Sequence, residues 1–114
     1  MNRGDVVWVE LPRPVSAGRE QFGVRPAVIF QDESQFGRLP TVVIVPVTEQ
    51  KSALRFPSTF LIQPSRSNGL PSESVVLTFQ VRAIDRVRIK QVIGALDPQD
   101  LVDLTYQVRK LLRL

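Results

Sequence analysis

The sequence predicts a mainly β (α+β) fold: a small, mostly antiparallel β-barrel of short strands, closed by one C-terminal α-helix. Three observations carry this. Five or more short runs rich in Val, Ile and Phe are separated by stretches containing Pro, Gly and Ser. After Asp97 the apolar residues switch to three- and four-residue spacing. The chain is 114 residues long, which suits one domain over residues 1–114 and lets roughly two-thirds of the unfolded surface be buried.

Residues 4–11 (GDVVWVEL) read as the first strand, ended by Pro12 and Pro14. Residues 12–24 form a loop whose length in so small a domain suggests function. Residues 25–31 (RPAVIFQ) are the second strand, with Pro26 expected at its start or on an edge because proline cannot donate a ladder hydrogen bond. Residues 41–48 (TVVIVPVT) are almost wholly apolar, so this third strand is expected to be buried on both faces. Pro46 marks a bulge or the exit from pairing. Residues 56–63 and 74–79 are further strands around a turn-rich loop, and residues 82–92 supply one or two more. Asp97 is positioned to N-cap the helix, Pro98 fits its first position, and Leu101, Leu104, Val108, Leu111 and Leu112 form one apolar stripe.

Composition excludes several chemistries. With no cysteine there is no disulfide, thiolate nucleophile or Cys-based zinc site, which fits a reducing cytoplasm. With no histidine, the commonest acid/base and metal ligand are missing, so catalysis falls to Arg, Lys, Asp, Glu, Ser, Thr or Tyr. The net charge is +4, with eight Lys/Arg against five Asp/Glu in residues 61–114 and seven against six before them. Such an excess is compatible with a polyanionic partner but is weak evidence alone. No apolar run approaches the roughly 20 residues of a membrane span, and the first residues lack the apolar stretch of a signal peptide. A cytoplasmic protein is expected.

Four motifs in order give the reading its edge. Residues 3–9 (RGDVVWV), 18–26 (GREQFGVRP), 45–48 (VPVT) and 73–85 (ESVVLTFQVRAID) resemble those of the MazF/PemK toxin endoribonucleases of type II toxin–antitoxin systems. The resemblance implies an SH3-like barrel with a C-terminal helix, the CcdB/PemK-like toxin fold, assembled as a homodimer. It implies sequence-specific cleavage of single-stranded RNA with no metal or other cofactor, and a small MazE-like antitoxin whose acidic or apolar tail blocks the RNA groove. It places Arg25 and Thr48 at the catalytic positions and Glu20, Gln21, Ser74, Gln80 and Arg82 among residues lining the RNA site.

The residue chemistry fits. RNA cleaves when its 2′-OH attacks the adjacent phosphate. A guanidinium such as that of Arg25 can hold two oxygens of the extra-charged transition state. The Thr48 hydroxyl can donate to a phosphate oxygen or orient the 2′-OH, but no histidine is present to make it a nucleophile. Glu20 is the candidate base, since a glutamate with its usual pKa of about 4.3 is ionised at pH 7. The chain departs from some relatives, with Arg19 where they carry His and Phe79 where they carry a carboxylate. Arg19 can contact phosphate, and Phe79 can stack on a base if exposed. Arg86, Arg88 and Lys90 alternate, so on a strand they share one face able to track an RNA backbone, with Val87 and Ile89 toward the core. Two alternatives remain: a non-enzymatic toxin of the same fold, resembling the CcdB gyrase poisons, and an inactive RNA-binding barrel. The CcdB pattern includes a Trp near the C-terminus, and this chain ends RKLLRL.

Overall fold

The computed structural model describes residues 1–13, 18 and 22–114. The β-branched runs form seven strands: β1 Asp5–Leu11, β2 Gly23–Ile29, β3 Thr41–Thr48, β4 Thr59–Ile62, β5 Ser74–Leu77, β6 Arg82–Asp85 and β7 Ile89–Ala95. A short helix α1, Glu33–Phe36, follows β2, and the long helix α2, Pro98–Leu112, follows β7. All pairings are antiparallel. β1 pairs with β2 and β7. β3 pairs with β2 along one edge, and with β6 and then β5 along the other. The ring β7-β1-β2-β3-β6 continues from β6 back to β7 through a 3-10 turn at Arg86–Arg88. This is the barrel.

Period-two alternation gives the sheet two apolar faces. Val7, Val9, Ala27, Ile29, Val42, Ile44 and Ile84 fill the barrel, with Ile89 packed against them. Val6, Val28, Val45 and Val47 point the other way, into a second core covered by Ile62, Leu70, Val76 and α2. β3 contributes to both cores, so its nearly unbroken apolar sequence follows from burial on both faces. Pro98 occupies the first turn of α2. Asp97 precedes it without capping; its carboxylate accepts instead from Ser65 Oγ at 3.2 Å. Leu104 and Val108 are buried and Leu101 packs against them, but the stripe stops there. Leu111 and Leu112 are exposed because the helix end overhangs the second core. Among the described residues no helix is long and apolar enough to cross a membrane.

Two expected strands are broken. The run 56–63 becomes a strand only from Thr59, because a 3-10 turn at Lys51–Arg55 precedes it and Ser58 adopts a left-handed φ of 62°. The run 82–92 is interrupted at Arg86–Arg88, where the Asp85 carboxylate accepts from the Val87 amide at 3.0 Å and stabilises the turn. Arg86, Arg88 and Lys90 therefore do not share a strand face. Val87 points to solvent, while Ile89 does reach the barrel core. Lys90 pairs with Glu10 of β1 at 3.6 Å.

Arg86 folds back against the protein and is half-buried. Its guanidinium forms an ion pair with Glu33 of α1, and its Nε donates to the Leu39 carbonyl at 2.9 Å. Gln31 adds bonds to Glu33, Phe36 O and Thr41 O. This clamp fastens the β2–β3 connection to the end of β6. The hydrogen bond from Arg86, outweighing the opposing effect of burial, holds the Glu33 carboxyl below the usual glutamate range. A depressed carboxyl pKa stabilises the fold above the ordinary carboxylate range, and that stability is lost as pH falls through the lowered value. Glu33→Gln should therefore cost about 1.5–3 kcal/mol near neutrality in urea unfolding. The gap to the parent protein should close on acidification below about pH 4. A gap of constant size from neutral to acid pH would show that the ion pair is not its source.

Candidate active site

Strands β2 and β3 run together and then separate. Ile29 faces Ile44, Val28 faces Val45 and Ala27 faces Pro46, and there the ladder ends. On the opposite edge of β3, Val47 and Thr48 pair with Val76 and Val75 of β5. β2 continues alone toward Gly23, still paired with β1 through Trp8 opposite Pro26 and Val9 opposite Arg25. The β2–β3 register, carried two residues past its last pair, sets Arg25 against Thr48 across the opening gap. Both residues line one cleft of about 730 Å³, with Trp8, Phe22, Pro26 and Glu49 among its walls.

Each side chain is held by local structure. Arg25 is exposed, and its Nε donates to the Phe22 carbonyl at 3.0 Å. Among the described residues no other group holds this guanidinium, so its two terminal amino groups are available to an anion. Thr48 is 8% exposed, and its hydroxyl oxygen accepts from the Gln50 amide at 3.3 Å. That bond turns the chain out of β3 and leaves the Thr48 hydroxyl hydrogen available. Beside Thr48, a hollow of about 90 Å³ is lined by Gln50, Arg55, Phe56, Phe79 and Gln80. The Phe79 ring lies 5.2 Å from that of Phe56, tilted by 53°.

Residues 2–112 match the family described as PemK-like, MazF-like toxin of type II toxin-antitoxin system. The chain belongs to this family. Among MazF relatives, the endoribonuclease EndoA of Bacillus subtilis is 34% identical over 110 residues, covering 95% of this chain and 92% of that protein. The endoribonuclease MazF of Staphylococcus saprophyticus is 33% identical over 104 residues, covering 91% and 84%. The MazF crystal structure from Deinococcus radiodurans superposes with a TM-score of 0.79 at 24% identity, covering 100% of this chain and 97% of that one. A MazE-MazF structure from the same organism gives 0.71 at 26% identity, with 100% and 96% covered. The barrel-plus-helix architecture of the MazF fold is thus shared over the full described chain.

The cleft brings together Arg25 and Thr48, and the adjoining hollow adds Phe79 and Gln80. Other expected site residues lie elsewhere. Ser74 is fully buried and its hydroxyl donates to the Ser72 carbonyl at 3.1 Å, so it presents nothing to a surface ligand. Arg82 stands on β6 opposite Ile44, outside both hollows. Arg86 is committed to Glu33, and Arg88 sits in the 3-10 turn. Arg19, Glu20 and Gln21 lie outside the described residues. The structure also adds residues. Trp8 of β1 lines the cleft, and Glu49 brings it a carboxylate. Glu49 carried no signal in the sequence beyond standing next to Thr48.

Neither Arg25 nor Thr48 carries much of the fold. Thr48→Val loses one hydrogen bond of about 1 kcal/mol, and Arg25→Ala removes an exposed side chain. Each variant should melt within about 6 °C of the parent protein in circular dichroism. A collapse of the Arg25→Ala variant would mark that residue as structural.

Proposed function

We propose that this MazF-family protein is a sequence-specific, metal-independent endoribonuclease toxin that cleaves single-stranded RNA in the cytoplasm and so arrests translation and growth. The observation that carries the reading is the convergence of Arg25 and Thr48, from separate strands, on one open cleft. Two relatives about one-third identical over most of the chain are named endoribonucleases, which supports it.

In this reading the 2′ oxygen attacks the adjacent phosphorus. The O2′–P bond forms and the P–O5′ bond breaks, leaving a 2′,3′-cyclic phosphate and a 5′-hydroxyl. The 2′ proton passes to a carboxylate, and the departing O5′ takes up a proton. Arg25, with Nε held by Phe22, presents its terminal amino groups to the phosphate oxygens and stabilises the added charge. Thr48 donates its hydroxyl to the same phosphate or aligns the 2′-OH. Glu20 is the proton acceptor of this reading, and Glu49, which lines the cleft, is the alternative carboxylate. Since the chain has no histidine, no imidazole limb near pH 6.5 is expected in the rate profile.

The working form is a homodimer restrained by a MazE-like antitoxin, a reading supported by the MazE-MazF structure at 26% identity. The gyrase-poison reading is disfavoured by the chain's one tryptophan, Trp8, which stands in the cleft and not near the C-terminus.

Purified protein should cut single-stranded RNA in excess EDTA. Arg25→Ala should lower kcat by about 100- to 1,000-fold, the loss typical of one preorganised donor, and Thr48→Val should lower it less. Glu20→Gln and Glu49→Gln, assayed in parallel, identify the proton acceptor by which one removes the acid limb of the rate profile. Full cleavage by a folded Arg25→Ala variant would remove Arg25 from the mechanism. A requirement for added metal would overturn the metal-independent reading.

A further inference from the structure

The surface around the cleft does not end at Thr48. Thr48 and Gln50 line both the cleft and the small hollow containing Phe56 and Phe79. Phe56 and Phe79 then wall an apolar groove of about 450 Å³, closed on its other side by Lys110 and Leu111 of α2. Lys110 in turn lines a larger groove of about 880 Å³ on the outer face of α2, with Tyr106, Arg109 and Arg113. Neighbouring hollows share wall residues, so together they form an interrupted channel from the cleft to the helix.

Past Gln50 the lining mixes aromatic rings and cations with apolar side chains such as Pro57, Val102 and Leu111. Aromatic faces recur: the Phe56–Phe79 pair, then Tyr106, which is 61% exposed. Cations sit beside them, with Arg55 4.8 Å from the Phe56 ring centre and Lys110 5.8 Å from that of Tyr106. No Asp or Glu side chain appears among the described lining residues of this stretch. On α2, residues 102, 106, 109, 110 and 113 follow three- and four-residue spacing on the side away from Leu104 and Val108. The helix thus carries a second stripe that neither core uses.

We propose that this channel is a binding track for the single-stranded RNA flanking the cleaved bond. The proposal rests on reading the Arg25 cleft as the RNA-cleaving site. Aromatic faces interleaved with cations, and free of Asp and Glu side chains, are the chemistry that holds single strands with little regard to sequence. Bases stack on the rings while Lys and Arg meet phosphates. α2 alone, at 15 residues, extends about 22 Å. The track therefore accommodates roughly four or more nucleotides, the lower end of known single-strand sites.

The test uses synthetic RNAs that share one cleaved site and carry flanks of about two or about ten nucleotides on the 5′ or the 3′ side. On one side, the long flank should lower KM by about tenfold or more, the gain expected from one stacked base. Tyr106→Ala combined with Lys110→Ala should bring the short-to-long KM ratio toward one. The salt dependence of binding to long RNA should become shallower in that variant, by a slope of roughly 0.7 for each phosphate no longer neutralised. Both side chains are exposed, and a circular dichroism melt verifies folding. Equal KM values for short and long RNA on both sides, or a double variant that keeps the full ratio, would overturn the track. Anisotropy with fully 2′-O-methylated RNAs separates the two readings. Length-dependent binding, abolished in the double variant, without cleavage of ordinary RNA would sink the nuclease and keep the track. Cleavage indifferent to flank length would do the reverse.

Discussion

Two prolines set where β2 and β3 part, and the cleft exists because they part. Pro46 belongs to the last β2–β3 pair, and Pro26 is the first β2 residue beyond that ladder. Neither has an N–H to donate, so continuing the pairing past this point would leave ladder positions empty. Beyond it β3 is held on its far edge by β5, while β2 stays with β1. The gap opens against a rigid base, since Val9 and Ala27 are fully buried in the barrel core. Arg25 and Thr48 stand on either side of it. Two side chains placed on diverging strands are fixed by ladders on the far edges and remain open to a ligand between them. This combines preorganisation with access.

The chain's arginines divide by what surrounds them. Arg86 is tied to Glu33 and to backbone carbonyls, and its charge is neutralised within the fold. Arg25 meets only one backbone carbonyl among the described residues, through Nε. That single bond orients the guanidinium plane without neutralising it. In a histidine-free protein a permanently charged, oriented group is well suited to a pentavalent phosphate, because stabilising charge needs no proton transfer by the arginine itself. In the proposed reaction the proton movements fall to carboxylates, for which Glu20 and Glu49 are the two candidates.

How much was legible in the sequence follows from the range of the forces involved. β1, β2, β3 and the start of α2 rest on short local runs of β-branched and apolar residues and on Pro98, so they were readable to within a residue or two. Arg25 and Thr48 were readable through motif resemblance, and their meeting required the register between strands. The misreadings all turn on long-range partners. Alternation at Arg86, Arg88 and Lys90 looks the same whether the segment is a strand or a turn. Glu33, 53 residues away, draws Arg86 inward, and Asp85 holds the turn. Ser74 looked available for RNA, but β5 lies between β3 and β4 and takes it into the interior. Leu111 and Leu112 continue the helical stripe in sequence, whereas the core beneath them stops.

The most direct measurement replaces the 2′-OH by hydrogen at the one nucleotide 5′ to the cleaved bond in an otherwise unmodified RNA. If the RNA's own hydroxyl attacks phosphorus in the Arg25 cleft, that substrate binds but is not cut there, and the unmodified RNA yields fragments bearing a 5′-hydroxyl. Cleavage at the deoxy position, or fragments bearing a 5′-phosphate, would contradict the account.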